Sequence, residues 1–191
     1  PLFKKLFKSE HFFNSDASNV IIKSPIDLMV FIEKEFNFIK PPNFTGNLTN
    51  YLRARTMEMG QQILNPIDVA GWQENQDWIS TGTLPMRWEF GDYLINRYYA
   101  GNKEQFRTLL KEMIGIENDN PESIVRTVKE YMFCNYEILS DELNDAISIF
   151  KGDTPDNYFN GGGWNIDDIT VPKQFYDLLR FFVTLPEFQL K

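Results

Sequence analysis

The chain has one cysteine, Cys134, and one histidine, His11, among its 191 residues. A single cysteine rules out an internal disulfide and a cysteine-built zinc site, and a single histidine removes most metal, triad and proton-relay chemistry. Basic residues are outnumbered: Lys and Arg total 19 against 27 Asp and Glu, for a net charge of −8. That balance argues against a nucleic acid partner and against an anionic membrane surface. No stretch approaches the roughly 18 consecutive apolar residues of a membrane span, so membrane insertion is not expected. The opening Pro1 to Glu10 interleaves Lys4, Lys5 and Lys8 with apolar positions, unlike the unbroken apolar core of a signal peptide. The glycine run Gly161 to Gly163 lies outside the phosphate-loop pattern and follows no strand signal, so phosphate binding has no support.

Aromatic residues are plentiful: 17 Phe, 8 Tyr and 4 Trp in a sequence that is 42% hydrophobic supply a dense core for one domain of ordinary size. Their spacing is helical. Leu2, Phe3, Leu6, Phe7, His11, Phe12 and Phe13 open the chain on a first helix. Its apolar face is too broad for one neighbour, which predicts an exposed patch. Ser24, Pro25 and Asp27 form a cap, a first-turn proline and an acidic first turn ahead of Met29, Ile32, Phe36 and Ile39, and Pro41 and Pro42 stop that helix. A helix from about Thr49 to Pro66 is expected through Leu52, Thr56, Met59 and Ile63. Others follow from Thr83 to about Tyr99, from an Asn102/Gln105 capping box to Gly115, from Asn120 and Pro121 through Met132, from Ser140 to Gly152, and from Pro172 to Pro186. Asp153 to Val171 lacks periodicity and reads as a long loop. The expected fold class is all-α: an irregular multi-helix bundle of about seven to eight helices with long ordered loops. Residues 1–191 are expected to form a single helical domain. Because the chain starts at Pro1 and enters a helical pattern at once, it is expected to be the C-terminal portion of a longer protein.

Chemistry is concentrated in one irregular stretch. Asn65-Pro66-Ile67-Asp68-Val69-Ala70-Gly71-Trp72, followed by Asp77-Trp78-Ile79, places two indoles and several carboxylates between helices. Indole faces stack on sugar rings, and Asp68, Glu74 and Asp77 can bond hydroxyls or act as a carboxylate pair. The competing expectation has Ile67, Val69, Trp72 and Trp78 plugging the core while Asp68 and Asp77 cap backbone donors. The Asp and Asn residues between Asp153 and Asp168 do not match a calcium loop, so neither metal nor cofactor is expected. Cys134, inside the apolar stretch Tyr131 to Tyr136, reads as a small buried hydrophobe. No catalytic residue is assigned.

The strings Ile22-Lys23-Ser24-Pro25-Ile26-Asp27-Leu28, Met59-Gly60-Gln61, Asn65 to Trp72, Trp78-Ile79-Ser80, Leu84, Arg87 and Leu185-Pro186-Glu187-Phe188-Gln189 occur in an order that resembles the C-terminal part of the bacterial domain-of-unknown-function family 1800. The family's common PPNVAGW stands here as NPIDVAGW, and its NSSTLLAR as STGTLPMR. The resemblance implies a helical protein, often exported to the periplasm or cell surface, frequently encoded beside another uncharacterised family, number 1501. It implies no catalytic residue. Arg87 joins Asp68, Trp72, Glu74, Asp77 and Trp78 as a candidate ligand-binding set. The expected function is a noncatalytic interaction or assembly module. Its expected partner is a protein, including an upstream part of its own chain. The alternative is a carbohydrate-binding or carbohydrate-processing protein with a glycan as ligand.

Overall fold

A computed structural model of the chain describes residues 2–14, 20–40, 45–115, 119–133 and 138–191, with the side chains of residues 45–47 and 160 excepted. The expectations placed on Pro41, Pro42 and Cys134 lie outside the described residues. Among those described the fold is all-α, with no strand: α1 (Leu2–Leu6), α2 (Pro25–Glu35), α3 (Thr45–Glu58), α4 (Thr83–Gly101), α5 (Glu104–Ile114), α6 (Pro121–Phe133), α7 (Ser140–Lys151), α8 (Asp156–Asn160) and α9 (Val171–Thr184).

The last helix is the hub. α9 runs about 21 Å at 1.5 Å per residue and packs against α4, α5 and α7. Phe175, Leu178, Leu179 and Phe182 are completely buried along it. Each such side chain contributes about 1.5–3 kcal/mol. Pro172 starts it and Leu185 leaves the helical region ahead of Pro186, as the sequence requires. Aromatic pairs tie the layers together: Phe38 stacks on Phe106 at 4.5 Å, and Phe133 meets Phe182 edge-on at 5.2 Å. α4 approaches α9 through Gly91, where an added Cβ would lie 3.1 Å from Val183 Cβ.

α2 is capped as its sequence predicts. Ser24 Oγ accepts from Asp27 N, and Asp27 Oδ2 accepts from Ser24 N, both at 3.1 Å. α6 is likewise capped, Asn120 Oδ1 accepting from Ser123 N at 3.0 Å.

Five expectations need correction. The helix from Ser24 does not run on to Pro41: α2 ends at Glu35, Asn37 takes φ +43°, and Ile39 lies outside the helix, exposed. The opening is not one helix: α1 ends at Leu6, and Ser9 caps a separate 3₁₀ turn over Glu10–Phe13. α3 begins at Thr45 and ends at Glu58, because Gly60 takes φ +92°, a left-handed turn that cannot extend the helix to Pro66. Asn102 and Gln105 do not form a capping box. Gln105 turns inward instead, accepting from Ile39 N and donating to Tyr98 O. The stretch after Gly152 contains α8 and a fully buried Trp164 whose Nε1 donates to Gln174 Oε1 at 3.2 Å. Arg107 secures the same stretch through Ile166 O and Asp168 O. Its acidic residues serve it locally: Asp167 pairs with Lys111, Asp156 with Lys151, and Asp168 Oδ1 accepts from Thr170.

The two ends of the helical body meet. Ile21 and Lys191 exchange both backbone hydrogen bonds, at 3.3 and 2.8 Å, and Lys23 N donates to Gln189 O at 2.7 Å. The short alternation from Val20 to Ile22 thus becomes one antiparallel bridge, Ile22 with Leu190.

Candidate functional site

After Gly60 the chain turns Gln61 inward, where its Oε1 accepts from Ile26 N at 2.8 Å. It then projects outward. Leu64 takes φ +61°, and Leu64, Ile67 and Val69 are 90%, 68% and 109% exposed. The expectation that Ile67 and Val69 plug the core is therefore wrong. The projection is nonetheless fixed by hydrogen bonds: Asp68 Oδ1 accepts from Ala70 N at 2.8 Å, Asp68 O from Gly71 N at 3.2 Å, and Gln62 O from Trp72 Nε1 at 3.0 Å. Gly71 stands at φ +105°, where a side chain would be strained. Asp68 does cap a backbone donor, as the competing expectation held.

Trp78 closes the 3₁₀ turn Asn75–Trp78 and is buried at 4% exposure, its ring lying over Gly60. A buried ring offers no face to a sugar. Trp72 is half-buried, so the stacked pair of exposed indoles that a carbohydrate platform requires is not formed. Trp72, Glu74 and Trp78 do share a groove of about 480 Å³, completed by Asp27, Gln61, Asn75 and Lys191. Asp68, Asp77 and Arg87 are not among its lining residues. In the groove, burial works against the Asp27 carboxylate, but the hydrogen bonds from Lys191 and Ser24 outweigh it and hold the carboxyl below its ordinary 3.8. Lys191 Nζ reaches Asp27 Oδ2 at 2.5 Å. Nothing in the sequence pattern announces Asp27, Gln61 and Lys191 as neighbours of the indoles. They are brought there by the left-handed turn at Gly60 and by the pairing of Ile21–Lys23 with Gln189–Lys191.

Arg87 lies behind the groove in a buried polar node. At 1% exposure, its Nη2 donates to Lys23 O at 2.6 Å and its Nε to Gln189 Oε1 at 2.8 Å. Burial pulls its guanidinium down to about 10. Lys23, 6% exposed, donates Nζ to Phe188 O at 2.7 Å and sits 4.5 Å from the centre of the Phe31 ring. These contacts make the node a structural joint. Among the described residues Arg87 Nη1, Gln189 Nε2 and Glu187 Oε2 are buried without a hydrogen-bond partner. Several of the strings on which the family resemblance rests meet here or beside it: Ile22–Leu28 with Leu185–Gln189 and Arg87, Gly60 with Trp78, and Gln61 with Ile26.

Among the described residues no group of three His, Cys, Asp or Glu is placed to hold a metal ion. His11 sits on the exposed opening arm. Also among the described residues, no helix is long and apolar enough to cross a membrane.

These features define an all-helical protein with an exposed apolar projection, hydrogen-bonded at its base, beside a buried polar joint. The chain belongs to the DUF1800 family, described as a protein of unknown function, whose family model matches residues 1–190. Searches of curated proteins and of solved structures found no match.

Proposed function

We propose that this chain is a noncatalytic interaction module that docks on a protein surface through the Leu64–Val69 projection. The observation that carries the reading is the exposure of Leu64, Ile67 and Val69 on a loop held rigid at its base. A fixed apolar tip in water is unusual on a soluble surface, and its rigidity lowers the entropy lost on binding. Asp68 at the tip and Asp27 in the groove are committed to local hydrogen bonds, which supports a binding role over acid–base work for these two carboxylates. By resemblance to the family, the module acts in the periplasm or at the cell surface of a bacterium, and its partner is a neighbouring protein or an upstream part of its own polypeptide.

A photo-crosslinking residue placed singly at positions 64, 67 and 69 of the full-length protein in its host tests this. The expected result is one discrete cross-linked peptide shared by all three positions. Absence of cross-links above those from an exposed control position such as Glu122 overturns the reading.

A further inference from the structure

The opening arm is the second exposed apolar feature, and it differs in charge. Among residues 2–14 no side chain is buried: Phe3, Phe7 and Phe12 are 71%, 51% and 46% exposed and touch chiefly one another, Phe3 stacking on Phe7 and Phe12 meeting Phe7 edge-on. Lys4, Lys5 and Lys8 against Glu10 give the arm a net charge of +2 in a chain of −8, so the rest carries −10.

An opposite surface exists on the body. A groove of about 560 Å³ opens between the segment after α2 and the outer face of α5. Its walls carry Glu35 and Glu112, with Glu104 held by Arg107 at 2.8 Å, around Phe38, Ile39 and Met113, and no Lys or Arg is among the lining residues. Ile39, 72% exposed, stands at its rim. Carboxylates around an apolar floor complement phenylalanines flanked by lysines.

We propose that the basic aromatic arm of one copy docks in this acidic groove of a second copy, and the second copy's arm docks in return. The arm of thirteen residues is too small by itself for the roughly 1,200 Å² at the lower end of specific interfaces. Reciprocal exchange about a twofold axis doubles the buried surface without any new contact type. The inference is independent of the role proposed for the Leu64–Val69 tip, since arm, groove and tip share no residue.

The test is sedimentation velocity on the 191-residue chain. The wild type is expected to dimerise, with its apparent dissociation constant rising about tenfold between low and moderate salt as the charge pairs are screened. Lys4→Glu, Lys5→Glu, Lys8→Glu together form an arm-reversed variant, and Glu35→Lys, Glu112→Lys a groove-reversed one. Each alone is expected to be monomeric with a melting temperature within a few degrees of wild type, because all five side chains are exposed and the groove reversal costs only the exposed Tyr131–Glu35 side-chain hydrogen bond. Mixed together they are expected to form a heterodimer, since acidic arm then meets basic groove and basic arm meets acidic groove. A monomeric wild type at 0.2 mM overturns the proposal. So does a dimer that the groove reversal leaves intact, or a mixture in which the reversed variants do not pair.

Discussion

Arg87 Nε and Gln189 Oε1 lie 2.8 Å apart across 102 residues of sequence, both side chains buried. Among the described residues no carboxylate pairs with this guanidinium; an amide and the Lys23 carbonyl receive it. Replacing it strands both acceptors and opens a cavity. Arg87→Ala should cost about 3–5 kcal/mol, and Arg87→Lys, which cannot reach both acceptors in a fork, should recover less than half of that. Urea denaturation followed by circular dichroism measures both.

The two tryptophans of the candidate site should behave differently. Trp78→Ala removes a buried ring over Gly60 and should cost about 3–5 kcal/mol. Trp72→Ala loses one hydrogen bond and a half-exposed surface, so about 1–2 kcal/mol is expected. Equal losses in a chemical denaturation series would contradict the burial described above.

Gly91→Ala forces a methyl to 3.1 Å from Val183 Cβ. Overpacking of about 1–3 kcal/mol outweighs the gain of about 1 kcal/mol in helix propensity, so the variant should be less stable than wild type. Val183→Ala in the same chain should relieve part of that strain. A double-mutant cycle with a coupling energy above about 0.5 kcal/mol checks it.

Asp27 ties the α2 cap to the last residue described. Its carboxyl titrates below 3.8 in the folded protein. The stabilisation it gives is therefore fully present above the unfolded-state value and is lost as pH falls through the lower, folded-state value. Wild type should lose this contribution below about pH 4, while Asp27→Asn should show a flatter acid limb. Thermal melts between pH 2.5 and 6 compare the two slopes.

At the projecting tip, replacing Leu64, Ile67 and Val69 together by Ser should shift stability by less than about 0.5 kcal/mol, since no burial is lost. A drop of several degrees in melting temperature would show that the tip packs on the body.

Much of the helical frame is legible in the sequence because its signals are local. Ser24-Pro25-Asp27, Asn120-Pro121 and the Pro172/Pro186 bracket each act within a few residues, and the structure places a helix where each predicts one. The periodic apolar face of α9 is buried as expected, and most of those of α5 and α6 are, though Met113 and Ile114 are half-buried and Tyr131 is exposed. What resists reading is decided at a distance. Ile67 and Val69 look like core because they are apolar, yet the turns at Gly60 and Leu64 carry them away from it. Trp164 sits among Gly, Asn and Asp, but Gln174 and Arg107 give that irregular stretch its anchors from other helices. Arg87 reads as a ligand-binding cation until Lys23 and Gln189 are seen to enclose it. Of the candidate set, the groove gathers Trp72, Glu74 and Trp78, and its further members Asp27, Gln61 and Lys191 come from three separate segments.

The paired backbone at the two ends of the body also sets how the protein yields to tension. In the antiparallel clasp of Ile21–Lys23 with Gln189–Lys191, the chain arrives before Ile21 and ends its paired stretch at Lys191 on the same side. A pull on those two ends loads the rungs one after another, as a zipper is opened, instead of shearing them together. The Ile21–Lys191 rung parts first, then the Lys23–Gln189 rung, and only then does the guanidinium of Arg87 meet water. A force far smaller than the helical core withstands would thus open the joint at its seam and leave α4 and α9 packed.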